Sequence, residues 1–111
     1  MGMDVIGKNP VSEAGEYFRN NVWWWKPLWS YCGVVAPELC DGIEGNFNVG
    51  DGLDEEGAIA LAEALQSEID SGHTLLIQVE IQKEDLEYYF SVENVQGFVN
   101  FLFDCGGFEI R

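Results

Sequence analysis

The chain has 111 residues and a mass of 12.4 kDa, enough for one small domain with a modest core. Twenty acidic residues against five lysines and arginines give a formal net charge of −15, which excludes free nucleic acid and anionic membrane surfaces as partners. No run of about 18 apolar residues is present and the N-terminal residues lack the pattern of a secretion signal, so we expect a cytoplasmic protein.

The first half of the chain predicts mostly extended and loop structure. Residues 3–6 form a short apolar run that predicts an edge strand or an ordered arm. Residues 16–25 are dense in aromatic residues and asparagines and are predicted to be extended, because the residue before Pro27 avoids the helical region. We expect Pro27 to begin a helix that runs to about Val35. Residues 37–52 hold four glycines and predict a long loop.

The clearest predicted helix covers residues 55–71. Asp54 is its expected N-cap, Leu53 stands in the staple position, and Gly72 is expected to end the helix. Its apolar positions recur at helical spacing and are Ala58, Leu61, Ala62, Leu65 and Ile69. Residues 74–82 then alternate between apolar and polar side chains, which favours a strand, with a helix as the rival prediction.

A second helix is predicted from Val92 to about Cys105, with Ser91 as its N-cap and Gly106 and Gly107 at its end. Its predicted apolar face is Val92, Val95, Val99, Leu102 and Phe103. Residues 108–110 are predicted to add a last short strand. The elements together predict one α+β domain over residues 1–111, with two to three helices packed on a short, mainly antiparallel sheet.

The charge is strongly segregated along the chain. Between Pro27 and Gln82 there are eleven acidic residues and no lysine or arginine. On the predicted helix over residues 55–71, Glu56, Glu63 and Asp70 fall nearly in line, opposite the apolar face and roughly 10.5 Å apart along the axis. No cation stands four residues from any of them, so the usual pairing within a helix is missing. This pattern is read either as a docking face for a basic surface or as a solubility device.

Three further acids, Asp41, Glu44 and Asp51, lie in the predicted loop before this helix and are expected to extend the acidic face. Seven of the fifteen aromatic residues fall between Tyr17 and Tyr31. In an extended chain the three consecutive tryptophans cannot all point inward, because neighbouring side chains alternate faces. Trp24 and Trp29 are therefore candidates for contact with a partner or a ligand, with a role in the core as the alternative.

No constellation for catalysis is evident, so no catalytic residue is assigned. His73, the single histidine, follows a helix end, and its expected role is structural. The cysteines Cys32, Cys40 and Cys105 lack the spacing of a zinc site and are expected to be reduced and buried. The loop with Asn46, Asn48, Asp51 and Asp54 does not match the calcium-binding EF-hand pattern, and a nonstandard cation site there stays an alternative to a simple turn and helix cap. We therefore expect no metal and no cofactor.

Four strings carry a resemblance: MGMDVIGKNP, SEAGEYFRNNVWWWKPLWSYC, GDGLDEEGA and FSVENVQGFVNFLFDCGGFEI. They cover about half the chain and resemble a family of small uncharacterised bacterial and phage-associated proteins. The string WWWxPLW is the most specific of these features. The resemblance implies a soluble protein of a bacterial or viral source acting in a bacterial host cell, and it implies no assigned activity.

Two functions are consistent with the sequence. The leading hypothesis is a non-enzymatic acidic protein that docks on a basic surface of a partner protein, by analogy with phage inhibitors that compete with nucleic acid. The alternative is a small-molecule or cation-binding domain that uses the tryptophan cluster and the Asn/Asp loop. A homodimer is compatible with either function if its contact avoids the acidic face.

Overall fold

The computed structural model describes residues 2–45, 50–84 and 89–111, which form an α+β fold around one hydrophobic core. Five helices and three strands lie in these residues: β1 (Gly2–Gly7), β2 (Tyr17–Asn21), α1 (Val22–Val35), α2 (Pro37–Cys40), α3 (Glu55–Asp70), α4 (His73–Glu84), α5 (Val92–Asp104) and β3 (Phe108–Ile110). The α+β prediction is confirmed. The sequence predicted two to three helices, and the two that it did not predict are α2 and α4.

The sheet is small and entirely antiparallel, with the strand order β2-β1-β3. Val5 of the central strand pairs with Phe18 on one side and with Ile110 on the other. The expectation of an edge strand for the N-terminal run is wrong, because the C-terminal strand returns to cover its second edge. The other edge of β3 forms backbone hydrogen bonds with the loop before α3. Here the Phe108 amide donates to the Leu53 carbonyl at 2.9 Å.

The core is built around the ring of Phe98 on α5. Its centroid lies 5.1 Å from Phe18, 5.5 Å from Trp25, 6.1 Å from Phe101 and 6.2 Å from Phe108. These rings come from β2, α1, α5 and β3, so one side chain joins the sheet to the helices. Offset and edge-on ring pairs of this kind stabilise the core by about 0.5–1.5 kcal/mol each beyond the area they bury.

Helix α1 begins five residues earlier than predicted. The Asn21 side chain accepts a hydrogen bond from the Trp24 amide at 3.1 Å and caps the helix, so the tryptophan run is helical rather than extended. Pro27 therefore lies inside the helix instead of beginning it. The predicted end at Val35 is confirmed.

Helix α4 occupies the segment that we predicted as a strand. Its buried side is formed by Thr74, Ile77, Gln78 and Ile81, which recur at helical spacing, and Thr74 is fully buried. The alternation of Ile77, Val79 and Ile81 misled the prediction because apolar side chains lie on both sides of this helix. The rival prediction of a helix is the correct one.

The caps of the other two long helices are confirmed. The Asp54 carboxylate accepts a hydrogen bond from the Gly57 amide at 2.8 Å, and the Ser91 hydroxyl accepts one from the Asn94 amide at 3.0 Å. Gly72 follows α3 with a φ of 85°, a conformation that glycine adopts without strain. On α5 the predicted Phe103 is 40% exposed, and the core uses Phe98 and Phe101 instead.

Candidate interaction surface

The candidate surface is the outer side of α3. Leu61 and Leu65 are fully buried on the inner side of this helix. The side chains of Glu56, Glu63 and Asp70 are exposed on the helix, and the seven-residue spacing puts neighbours about 10.5 Å apart along the axis. We call these three residues the α3 acidic stripe.

Cations do not neutralise the stripe. The ion pairs of the described residues are Asp4–Arg19 at 2.7 Å, Glu68–His73 at 2.6 Å, Glu80–Lys83 at 4.0 Å and Glu109–Arg111 at 2.5 Å. Three of the five lysines and arginines are thus held by acids outside the stripe. Within the part of the chain that the structure describes, no lysine or arginine reaches the stripe carboxylates. The negative charge of the stripe therefore faces solvent and is available to the cations of a partner.

One end of the stripe is held by an amide network. The Gln66 amide nitrogen donates to the Asp70 carboxylate at 3.0 Å and to the Gln96 side-chain oxygen at 3.2 Å. Gln96 donates back to Gln66 at 2.8 Å, so α3 and α5 are joined by a reciprocal amide pair. The Gln66 amide thus holds the Asp70 carboxylate in position. In the described residues neither Glu56 nor Glu63 has such a partner, and both are free to rotate toward a ligand.

The loop acids behave differently from one another. The Asp51 carboxylate is half-buried and accepts hydrogen bonds from the amides of Glu44 and Gly52, each at 2.9 Å. It therefore organises the loop that leads into α3. Asp41 and Glu44 are exposed. The Glu44 amide donates to Asp51, which stands four residues before the first residue of α3, so Glu44 is held in the loop that leads into this helix.

The two candidate tryptophans are both less available than predicted. Trp29 is only 6% exposed and stacks on Trp25 at a centroid distance of 5.7 Å. Its assignment to partner contact is wrong, because the ring covers Gly45 and belongs to the core. Trp24 is half-buried, with its ring 5.3 Å from that of Tyr89. The exposed tryptophan is Trp23, at 70%, which the prediction of an extended chain did not single out.

Trp24 lines an open groove of about 330 Å³ with polar neighbours, namely Asn20, Ser91, Glu93, Asn94 and Gly97. Most of these polar groups already have structural roles. Asn20 and Asn94 exchange side-chain hydrogen bonds at 2.9 and 3.0 Å, and Ser91 caps α5. The groove therefore offers few unsatisfied groups to a small ligand, which weakens the small-molecule alternative.

The candidate cation site receives no support from the described residues. Asn46 and Asn48 lie outside them, while Asp51 clamps the loop and Asp54 caps α3. No cluster of three or more metal-ligating side chains occurs in residues 2–45, 50–84 and 89–111. A structural role explains both aspartates.

The three cysteines are free and buried, as predicted. Burial raises the pKa of each thiol, that of Cys40 to about 11. A thiol with a raised pKa is a poor nucleophile at neutral pH. His73 follows Gly72, with its Nδ1 atom 2.6 Å from the Glu68 carboxylate, and this contact joins the end of α3 to the start of α4.

No protein family, curated protein or solved structure matches this chain. The resemblance to small bacterial and phage-associated proteins therefore stays an expectation from the sequence. Among the helices of the described residues, none is both long and apolar enough to cross a membrane.

Proposed function

We propose that this protein is a non-enzymatic interaction protein whose α3 acidic stripe docks on a basic surface of a partner protein. The observation that supports this function is that Glu56, Glu63 and Asp70 are exposed in line on one rigid helix, while the ion pairs of the described residues lie elsewhere. Asp41 and Glu44 carry further exposed carboxylates in the segment of the chain before α3.

The mechanism is competition for lysines and arginines. A net charge of −15 accelerates the encounter with a basic surface, and each exposed ion pair then adds about 0.2–1 kcal/mol to the complex. A surface that normally binds nucleic acid carries the required cations, so a nucleic-acid-binding protein of a bacterial host is the class of target that we propose. Inhibition follows from occupying that surface.

The test compares two variants with the same change in net charge. The stripe variant carries Glu56→Gln, Glu63→Gln and Asp70→Asn. The control variant carries substitutions to glutamine at three exposed acids outside α3: Glu13, Glu16 and Glu93. Each tagged protein is used to capture partners from a bacterial lysate at about 50 mM and about 500 mM salt, where screening is weak and strong respectively. Retained proteins are identified by mass spectrometry and then challenged with duplex DNA.

We expect the wild type and the control variant to retain the same protein at low salt, and the stripe variant to lose it. High salt and duplex DNA should both release it. If both variants lose the partner equally, total charge rather than the stripe carries the binding. Binding that is indifferent to salt contradicts electrostatic docking altogether.

A further inference from the structure

A cavity of about 500 Å³ lies where α1 meets α2. Its lining comes from within residues 29–33 of α1 and from within residues 37–41, which cover α2 and the residue after it. The volume falls within the range of natural ligand pockets. We call this space the α1–α2 cavity, and the chemistry of its lining indicates what it can bind.

Gly33 opens the cavity from the side of α1. A glycine inside a helix costs about 0.5–1 kcal/mol relative to alanine, so its presence needs a reason. Gly33 does not have a positive φ, and a Cβ atom at this position would meet no atom of the surrounding structure within 4 Å. Neither backbone conformation nor close packing therefore requires glycine here. What glycine provides is open space, because a larger side chain would project into the cavity that Gly33 lines.

The floor of the cavity is apolar and its rim is anionic. Trp29 and Cys40 border the cavity from the core and are only 6% and 7% exposed. Burial raises the pKa of the Cys40 thiol to about 11, and the Glu38 carboxylate adds to this effect, so the floor carries no charge at neutral pH. Glu38 and Asp41 also line the cavity and are exposed. Two carboxylates thus stand at the edge of an apolar floor.

The protein itself does not neutralise these two rim carboxylates. No lysine or arginine occurs within residues 27–82. Within the described part of the chain, neither Glu38 nor Asp41 takes part in an ion pair. Carboxylates that line one cavity repel each other, and a cation placed between them removes that repulsion. The cavity therefore lacks a positive charge that a ligand can supply.

We infer that the α1–α2 cavity binds one lysine or arginine side chain of the partner protein. The inference rests on the proposed function, because this side chain belongs to the basic surface on which the α3 acidic stripe docks. Lysine and arginine combine a long aliphatic stem with a cationic head group. The stem lies along the floor formed by Trp29 and Cys40, and the head group reaches Glu38 and Asp41. Trp29 remains a core residue that only borders the cavity.

The cavity supplies a kind of contact that the α3 acidic stripe does not. Exposed ion pairs such as those of the stripe are screened by salt and contribute little each. A side chain that is partly enclosed, with its stem against an apolar floor, has the character of a binding hot spot. We therefore expect the stripe to accelerate the encounter and the cavity to select the side chain that is bound.

The test uses three small probes, the Nα-acetyl methylamides of lysine, arginine and norleucine. Norleucine has an aliphatic stem without the charge. Binding is followed through the backbone amide signals of residues 30–41 in proton–nitrogen correlation spectra of the full chain. Probe concentrations reach about 20 mM, because a ligand of this size binds in the millimolar range. Salt is kept at about 150 mM to screen unspecific attraction to the negative chain.

Two variants alter the cavity and one serves as a control. Gly33→Leu fills the cavity, and a helix interior accepts leucine better than glycine. The rim variant carries Glu38→Gln and Asp41→Asn. The matched control carries Glu13→Gln and Glu16→Gln, which remove two exposed charges elsewhere. Circular dichroism melts establish that each variant is folded.

We expect the lysine and arginine probes to shift these signals saturably in the wild type and in the control, and the norleucine probe to leave them in place. Gly33→Leu and the rim variant should each raise the dissociation constant about tenfold or more. The absence of a saturable shift overturns the inference, and so does equal binding of norleucine. Binding that survives Gly33→Leu or the rim variant, or that the control loses as well, also overturns it.

The probe experiment and the capture experiment fail separately. The α3 stripe variant should bind the probes as the wild type does, because its substitutions lie outside the cavity. In the capture experiment, Gly33→Leu should weaken retention of the partner although its stripe is intact. Full retention by Gly33→Leu overturns the role of the cavity and leaves the stripe proposal standing.

Discussion

The hydroxyls of Tyr31 and Thr74 lie 2.8 Å apart in the interior and join α1 to α4. Thr74 is fully buried, and Tyr31 is only 5% exposed. Burial raises the pKa of Tyr31, and the bond to Thr74 opposes that effect. The pair therefore fixes the separation of α1 and α4.

Replacing one member of this pair leaves the other unsatisfied. We expect Tyr31→Phe to reduce the free energy of unfolding by about 1–3 kcal/mol, because the Thr74 hydroxyl then stays buried without its partner. Thr74→Val should have a similar effect, and the double variant should cost less than the sum of the two. Urea unfolding of all four proteins measures this coupling. Strict additivity would show that the bond contributes nothing of its own.

The buried thiols predict a loss of stability at alkaline pH. Their folded pKa values are raised above 9.0, for Cys40 to about 11, so the folded state holds these protons where the unfolded state releases them. The stability that they contribute is present below about pH 9 and is lost as pH rises toward 11. Thermal melts between pH 7 and pH 10.5 check the direction. Substituting Cys40→Ala should flatten the decline above about pH 9, although the cavity lowers stability throughout.

The same burial predicts slow chemical labelling. At neutral pH a thiol reagent such as DTNB should react slowly with the native protein and with three thiols per chain after denaturation. Rapid reaction of one cysteine in the native protein would contradict its buried position.

Two glycine-to-alanine substitutions should act in opposite directions. A Cβ atom on Gly45 would lie 2.1 Å from the Trp29 ring, and the Gly45 carbonyl accepts the Trp25 indole bond at 2.6 Å. Gly45→Ala should therefore cost about 1–3 kcal/mol through overpacking. A Cβ on Gly33, inside α1, meets no atom within 4 Å, so Gly33→Ala should stabilise by about 0.5–1 kcal/mol. Denaturant midpoints of the two variants test the sign of each change.

Substitutions at Asp54 distinguish its role as the N-cap of α3 from a role as a cation ligand. Asp54→Ala should cost about 1 kcal/mol because the Gly57 amide loses its acceptor, whereas Asp54→Asn keeps a capping oxygen and should cost little. Calcium should leave the melting temperature of all three proteins unchanged. A rise in the wild type that Asp54→Asn abolishes would restore the cation site.

The helices that the sequence predicted well are those whose ends are marked by local capping residues. Asp54, Ser91 and Gly72 act through local hydrogen bonds and backbone geometry, and the apolar spacing of α3 and α5 matches one buried side. The start of α1 was recoverable in principle. Asn21 is a good N-cap, and the spacing of Trp25, Leu28, Trp29 and Cys32 is helical. The prediction started the helix at Pro27 instead, because proline is common at the first position of a helix.

Helix α4 was less accessible to prediction. Its buried side includes the polar Thr74 and Gln78, which are satisfied by Tyr31 and by the Val92 amide at 2.8 Å. Both partners are distant in the chain, so their effect does not appear in a local pattern. With leucines exposed and a threonine buried, the amphipathic signal of α4 is nearly cancelled.

The sequence by itself determined the segregation of charge, since no arrangement of the chain can supply a lysine or arginine within residues 27–82. It also determined the caps of α3 and α5, because these bonds span only three residues. Tertiary structure alone decided that Trp29 is buried and Trp23 exposed, and which side of α4 meets the core. Such choices depend on which surfaces of distant elements pack together, and that is a property of the whole core rather than of any short segment.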